Sequence, residues 1–328
     1  MDPRNLIDDA LELTVVGSFG RPGFVLRKRL FGWRPPEPDC LAGRTVLVTG
    51  CTSGLGRATT DALAALGARV VLAGRSPDRL AAVHDELVAR HGEDRFPILV
   101  VDMQSMVSVR TAVARVLERE VRLDVLVDNA GAMFPARTLS PDGIEASLAT
   151  MVVGPFVLVS GLLPLLARTP GSRVVGVTSG GMYAQRVPFD DLEYERGEWS
   201  PSRAYARAKR IGVAMTREWA RRLAAARVDV AVNSMHPGWA DTPGLAEALP
   251  SFHRRMKRLL RTPSEGADTI VWLATTPAAA RPGGKLYLDR RPRPFDRVPA
   301  TRLTGADRRR LWDFVVACSG APDPLPDR

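Results

Sequence analysis

Six short runs dominated by valine, leucine, isoleucine and alanine recur along the chain, at residues 45–49, 69–73, 96–101, 123–127, 173–178 and 228–235, with helix-compatible segments between them. Runs this short and this continuously apolar are strands buried on both faces, and strands that alternate with helices make a parallel sheet. Right-handed crossovers then put the helices on both faces of one doubly wound sheet and open a ligand crevice at the carboxyl ends of its strands. No internal repeat or low-complexity tract interrupts the pattern.

Composition narrows the class. With 45% hydrophobic and 25% charged residues, the chain has ordinary globular usage. Its three cysteines, Cys40, Cys51 and Cys318, cannot build a disulfide framework and lack zinc-site spacing. The chain opens with Asp2, Asp8, Asp9 and Glu12 and shows no basic and apolar leader. A reducing, cytoplasmic location is expected. A net charge of +10 brings nucleic acid to mind, but aromatics are only 6% of the chain and no recognition module is visible; no nucleic-acid partner is expected. Residues 146–167 carry no charge and are long enough to span a bilayer. They include Gly154, Pro155, Gly161 and Pro164 and lie between two strand-like runs, so they read as a helix buried against the sheet or a partner subunit.

The turn after the first run reads Thr49-Gly50-Cys51-Thr52-Ser53-Gly54-Leu55-Gly56-Arg57 and leads into a helix. Glycines in such a turn let the backbone approach a pyrophosphate held on the helix N-terminus. The second run ends at Gly74-Arg75-Ser76. An acid at that position would bind the ribose 2′-hydroxyl of NAD, whereas an arginine pairs with a 2′-phosphate. Arg75 therefore favours NADP over NAD; a solvated arginine opening the next helix is the alternative. Farther on come Asp102-Met103, Asn129-Ala130-Gly131, Ser179, Tyr205-Ala206-Arg207-Ala208-Lys209 and His236-Pro237-Gly238-Trp239, each following a strand or opening a helix.

In this order, the glycine turn, Asn-Ala-Gly, Ser, Tyr-x-x-x-Lys and Pro-Gly elements resemble the short-chain dehydrogenase/reductase family, in its retinol-dehydrogenase-like branch, over residues 43 to about 290. The resemblance implies a single α/β Rossmann domain with a parallel sheet of about seven strands, preceded by an N-terminal extension (1–42) and followed by a C-terminal tail (291–328). It implies cofactor contacts from Gly50, Thr52, Ser53, Gly54, Leu55, Gly56, Arg75, Asp102, Met103, Asn129, Ala130, Gly131, Tyr205, Lys209, Pro237, Gly238, Trp239 and Thr242. It also implies a catalytic set of Ser179, Tyr205 and Lys209, with no metal. The spacing agrees: residues four apart share a helix face, so Tyr205 and Lys209 address one site. A nearby ammonium is expected to lower the phenol pKa from about 10, readying Tyr205 for proton exchange with the substrate oxygen while Ser179 holds that oxygen.

One position departs from the family pattern. The segment that should open with a catalytic asparagine reads Met151-Val152-Val153-Gly154, and methionine cannot organise a water or carbonyl as an amide does. Three readings stay open: a neighbour such as Thr150 or Ser147 compensates, proton exchange is slow, or the protein binds cofactor with little turnover as a sensor or interaction partner. His84 and His91, seven apart on a polar helix, read as surface. The resemblance also implies a substrate lid between His236 and Pro263; there residues 251–261 place Phe252, Met256, Leu259 and Leu260 at helical spacing opposite five basic residues, an apolar stripe that either closes over a hydrophobic carbonyl or alcohol or belongs to a solvated amphipathic helix packed on the core. Residues 19–34 interleave aromatics and leucines with arginines and a lysine, without an acid, as in segments that contact anionic lipid; docking on the protein's own surface is the alternative. A homodimer is compatible with the family.

Overall fold

The computed structural model describes residues 2–92, 95–279 and 283–327. Its eight strands are β1 (Thr45–Thr49), β2 (Arg69–Gly74), β3 (Ile98–Val100), β4 (Val125–Asp128), β5 (Arg173–Val177), β6 (Ala231–Met235), β7 (Leu286–Leu288) and β8 (Arg291–Arg293). They form one sheet in the order β3-β2-β1-β4-β5-β6-β7-β8. Seven strands run parallel; β8 turns back antiparallel on β7, with Leu286 opposite Arg293. Each of the six apolar runs supplies one strand, and every residue of β1 and β6 is buried. The eighth strand arises from residues assigned on sequence to the tail. Pro292 is tolerated there because β8 is the sheet edge.

The N-terminal helices are α1 (Pro3–Glu12), α2 (Val15–Phe19) and α3 (Arg21–Leu30). The helices of the body are α4 (Gly54–Ala65), α5 (Pro77–His91), α6 (Met106–Arg119), α7 (Ala146–Leu148), α8 (Gly154–Arg168), α9 (Pro201–Ala225), α10 (Pro243–Ala248), α11 (Pro250–Met256), α12 (Pro263–Thr275) and α13 (Gly305–Ser319). On one face α4, α5 and α12 bury Leu63, Leu80, Leu87 and Ile270 against Val46, Val70 and Val127. On the other, α6, α8, α9 and α13 bury Val109, Leu162, Trp219 and Trp312 against Leu47, Leu126 and Val174. The uncharged stretch 146–167, which Arg168 closes, belongs to this second layer: 78% of the most apolar window of Ala146–Arg168 is buried. Its apolar length serves the core of an α/β sandwich.

Both ends of the chain pack on this body. Trp312 of α13 is fully buried, edge-on to Trp219 at 4.7 Å and to Phe156 at 5.1 Å between ring centres. At the other end Phe19 and Phe24 are buried, so the basic segment 19–34 turns its aromatic side inward and docks on the protein. A buried charge cluster fastens it. Arg27 donates to Asp8 (2.7 Å), Glu12 (2.6 Å) and Asp289 (2.7 Å), while Arg261 donates to Asp289 (2.5 and 2.9 Å) and Arg293 to Asp8 (2.9 Å). Burial alone would raise the Asp289 and Asp8 carboxyls, but the guanidiniums around them outweigh it and hold both below the usual carboxylate range.

Candidate active site

The glycine turn between β1 and α4 is built for close approach. Gly50 (φ +65°) and Gly54 (φ +52°) adopt left-handed backbone that other residues rarely tolerate. A Cβ on Gly56 would lie 2.1 Å from the Gly50 carbonyl oxygen. Ser53 precedes α4 without a side-chain cap, which leaves the first N–H groups of that helix open for an anion. Asn129 braces the turn from β4: its side-chain amide donates to the Thr49 (2.9 Å) and Gly50 (3.3 Å) carbonyls, while the Thr49 hydroxyl accepts from the backbone N–H of Asn129 and Ala130 (both 2.9 Å). Asn129 thus spends its side-chain N–H donors on the shape of the cleft it lines.

The turn floors a cleft of about 390 Å³, and every residue expected to contact cofactor or take part in catalysis lines it: Thr52, Ser53, Leu55, Arg75, Asp102, Met103, Ala130, Gly131, Ser179, Tyr205, Lys209, Pro237, Gly238, Trp239 and Thr242 join the glycines and Asn129 there. At one end Arg75 and Arg79, both exposed, flank the N-terminus of α5. Sequence reasoning missed Arg79, although it lies four residues from Arg75 and on the first turn of the helix. Asp102 accepts from the Gln104 N–H (3.0 Å), which closes a tight turn after β3.

At the other end, β5 and α9 meet. Thr178 donates to the Lys209 carbonyl (3.1 Å) and the Lys209 ammonium donates to the Val177 carbonyl (2.7 Å), so the end of the strand fixes the helix. Tyr205 lies one turn earlier on the same face, with the Lys209 nitrogen 5.7 Å from its ring centre. The expected depression of the Tyr205 pKa is not found. Burial pushes the phenol up to about 12 against a hydrogen bond with Ser179 that works to lower it, while one of the three ammonium donors of Lys209 is taken by the Val177 carbonyl. Near neutral pH Tyr205 is a phenol, a proton donor in reach of Ser179.

Met151 sits in the middle of a π-helical turn (Ala149–Val153) between α7 and α8, a backbone form that often marks functional sites. It is 4% exposed, and its sulfur lies 3.2 Å from where a Cβ on Gly131 would be. Of the two suggested neighbours, Thr150 lines the cleft with its hydroxyl proton given to the Ala146 carbonyl (2.7 Å), which leaves it an acceptor only, and the fully buried Ser147 lines neither the cleft nor the cavity behind it. The polar group that does lie beside Lys209 is Asp128, the last residue of β4.

The loop after β6 roofs the cleft, held by residues far from it in sequence. A Cβ on Gly238 (φ +71°) would come within 2.5 Å of the Arg261 side chain and the Phe19 carbonyl. The Trp239 carbonyl accepts from the Arg261 N–H (2.7 Å), and Thr242 caps α10 by accepting from the Leu245 N–H (3.2 Å). The predicted lid is helical from Pro250 to Leu259, and its Phe252 packs edge-on against Trp239 at 5.2 Å. One of its five basic residues is not on an outer face: Arg261 is buried in the charge cluster, because Asp289 and two backbone carbonyls receive it.

Comparisons with known proteins agree with this geometry. A short chain dehydrogenase family model matches residues 44–251. Dehydrogenase/reductase SDR family member 12 of Bos taurus is 39% identical over 265 residues, 80% of this chain and 82% of that protein. Retinol dehydrogenase 14 of Mus musculus is 33% identical over 302 residues, 87% of this chain and 88% of that one. Among solved structures, an uncharacterised protein from Mycobacterium paratuberculosis superposes with a TM-score of 0.70 at 27% identity, covering 89% of this chain and all of that one. A short chain dehydrogenase of Shigella flexneri, solved with NADP, shares the fold at a TM-score of 0.61 and 24% identity, over 78% of this chain and all of that one. The chain belongs to the short-chain dehydrogenase/reductase family of nicotinamide-dependent oxidoreductases, within the group that includes the retinol dehydrogenases.

Proposed function

We propose that the cleft takes NADP and catalyses hydride transfer between the nicotinamide and an apolar carbonyl or alcohol. The observation that carries this reading is the convergence of Ser179, Tyr205 and Lys209 on one wall of the cleft whose far end is the glycine turn. The turn and the open N-terminus of α4 hold the pyrophosphate. Arg75, Arg79 and the N-terminus of α5 form a cationic end suited to a 2′-phosphate, and neither arginine has an ion-pair partner among the described residues. The dinucleotide supplies or accepts the hydride. Ser179 holds the substrate oxygen, and Tyr205, a phenol at neutral pH, gives it a proton during reduction. Met133, Phe134, Trp239 and Leu245 line the substrate side and favour an apolar molecule, in keeping with the retinol named for one relative.

Three free cysteines fit a reducing, cytoplasmic setting. The N-terminal apolar residues available for lipid contact are Leu6, Ile7, Leu13, Val15, Val16 and Leu26, which are exposed, rather than the buried Phe19 and Phe24. The test is NADPH consumption with a panel of aliphatic and ring carbonyls. Turnover should fall by about a hundredfold or more in Tyr205→Phe while NADP still binds. Met151 supports a second reading, a cofactor-binding protein with impaired turnover; binding of NADP without consumption across the panel would favour it.

A further inference from the structure

Behind the catalytic wall, separate from the main cleft, lies a small cavity of about 60 Å³ lined by Asp128, Met151, Lys209, Thr216 and Ser234. Three features make it polar on one side. Asp128 ends β4 opposite Gly176 of β5, one residue before the Val177 carbonyl that holds Lys209. Gly176 supplies no side chain, and a Cβ there would lie 3.3 Å from the Ser234 hydroxyl, so the space stays open. The Thr216 and Ser234 hydroxyls bond each other at 2.6 Å on the far wall. One carboxylate oxygen of Asp128 is buried with no hydrogen-bond partner among the described residues. A buried acceptor of this kind is costly unless something occupies the space it faces, and the volume admits ordered water.

We propose that Asp128 is the proton-relay residue of the reaction, acting through Lys209 by way of water in this cavity, at the place where Met151 offers no polar atom. The inference rests on the reading of the cleft as a carbonyl-reducing site. In reduction, hydride goes to the carbonyl carbon and the Tyr205 proton to its oxygen, leaving a phenolate. Lys209 gives one proton to Tyr205 and becomes an amine. Asp128 in its acid form gives one proton to Lys209, restoring the ammonium, and recovers its own from solvent. The net transfer is one proton from the Asp128 carboxyl to the Tyr205 oxygen, with no further electrons moved; alcohol oxidation reverses each step. Asp128 never touches substrate.

Burial raises the Asp128 carboxyl to about 6, with Lys209 pulling it back down, so it changes protonation state in the range where an enzyme works. Burial lowers Lys209 in turn, and Asp128 opposes that. Of the groups around Asp128 among the described residues, Lys209 on α9 is the charged one. β5 contributes Gly176 and Val177, β6 Ser234, and the π turn Met151, none of which titrates.

The experiment compares wild type, Asp128→Asn, Asp128→Asn with Met151→Asn, Lys209→Met and Tyr205→Phe. The expected result is a fall in carbonyl-reducing turnover of about tenfold or more in Asp128→Asn, with NADP affinity within about twofold of wild type. Wild-type turnover should decline as pH rises through about 6, where Asp128 loses its proton, and Asp128→Asn should flatten that limb. Met151→Asn should restore part of the lost rate without restoring the limb. In the cofactor-free protein, the infrared carbonyl band of a protonated buried carboxyl should titrate near pH 6, vanish in Asp128→Asn and shift to higher pH in Lys209→Met. An unchanged rate and pH profile in Asp128→Asn, or a band that ignores Lys209, overturns the relay. If Tyr205→Phe is inactive while Asp128→Asn is not, the relay alone fails; if Tyr205→Phe is fully active, the reading of the cleft fails with it.

Discussion

The carbonyl oxygen of Phe19 accepts the backbone N–H of Trp239 at 2.8 Å, and the two side chains meet edge-on with ring centres 6.0 Å apart. A residue of the N-terminal extension therefore sets the loop that roofs the cleft. The same ring packs against His236 at 4.8 Å and fills the space over Gly180, beside Ser179. The extension is part of the site's scaffold.

Arg27→Met tests that coupling. The substitution removes the cation shared by Asp8, Glu12 and Asp289 and leaves buried carboxylates short of partners, a loss of about 3–5 kcal/mol for a broken buried pair. The expected outcome is a lowered denaturant midpoint together with weaker NADP binding, since the 236–240 loop loses its anchor. A destabilised protein with unchanged NADP affinity would show that the extension only adds stability.

Arg75→Asp should invert cofactor preference. A carboxylate repels the 2′-phosphate and accepts from a 2′-hydroxyl, so the NADP dissociation constant should rise and that for NAD fall. Arg79, on the first turn of α5, should retain part of the NADP affinity, and Arg79→Ala in the Arg75→Asp background should remove it. Dissociation constants from fluorescence quenching measure both effects.

Met151→Asn alone should leave turnover within about twofold of wild type, because Asp128 already provides the polar group beside Lys209 and a new amide needs partners of its own. A gain of about tenfold or more, on a substrate the wild type uses, would show that the native relay is incomplete.

His236 predicts an acid limit to stability. Its ring is fully buried with neither nitrogen hydrogen-bonded among the described residues, and burial, followed by the charge of Arg261, pushes its pKa down to about 3. The folded protein keeps it neutral where the unfolded chain, with a value near the ordinary 6.5, would take up a proton. The stabilisation is complete above pH 6.5 and is lost as pH falls toward 3, by about 1.4 kcal/mol for every pH unit crossed inside that window. Thermal melts from pH 7 to 4 should show the wild type losing more stability than His236→Phe.

The doubly wound sheet and the cleft could be read from the sequence because their signals are local. A buried parallel strand writes itself as a run of valines and leucines, and the glycine turn and the Tyr205–Lys209 spacing each need only a few consecutive residues. What escaped notice depends on residues far apart. Arg261 looks like one of five lid cations until Asp289 and the Phe19 carbonyl are placed beside it. Asp128 is one polar residue at a strand end until β5 and α9 close a cavity on it. Nor could local spacing reveal that the Lys209 ammonium is turned toward Val177, which leaves burial in command of the Tyr205 proton.

The charge cluster also fixes an order of events during synthesis. Arg27 waits for Asp289 and Asp8 for Arg293, so the first thirty residues have no complete set of partners until nearly the whole chain has left the ribosome. The sheet strands emerge and can pair in sequence meanwhile. The oldest segment of the nascent chain is thus seated late, and a chain stopped short of residue 289 would carry the glycine turn, Ser179, Tyr205 and Lys209 beneath a roof whose N-terminal anchor still lacks the carboxylate that Arg27 and Arg261 share.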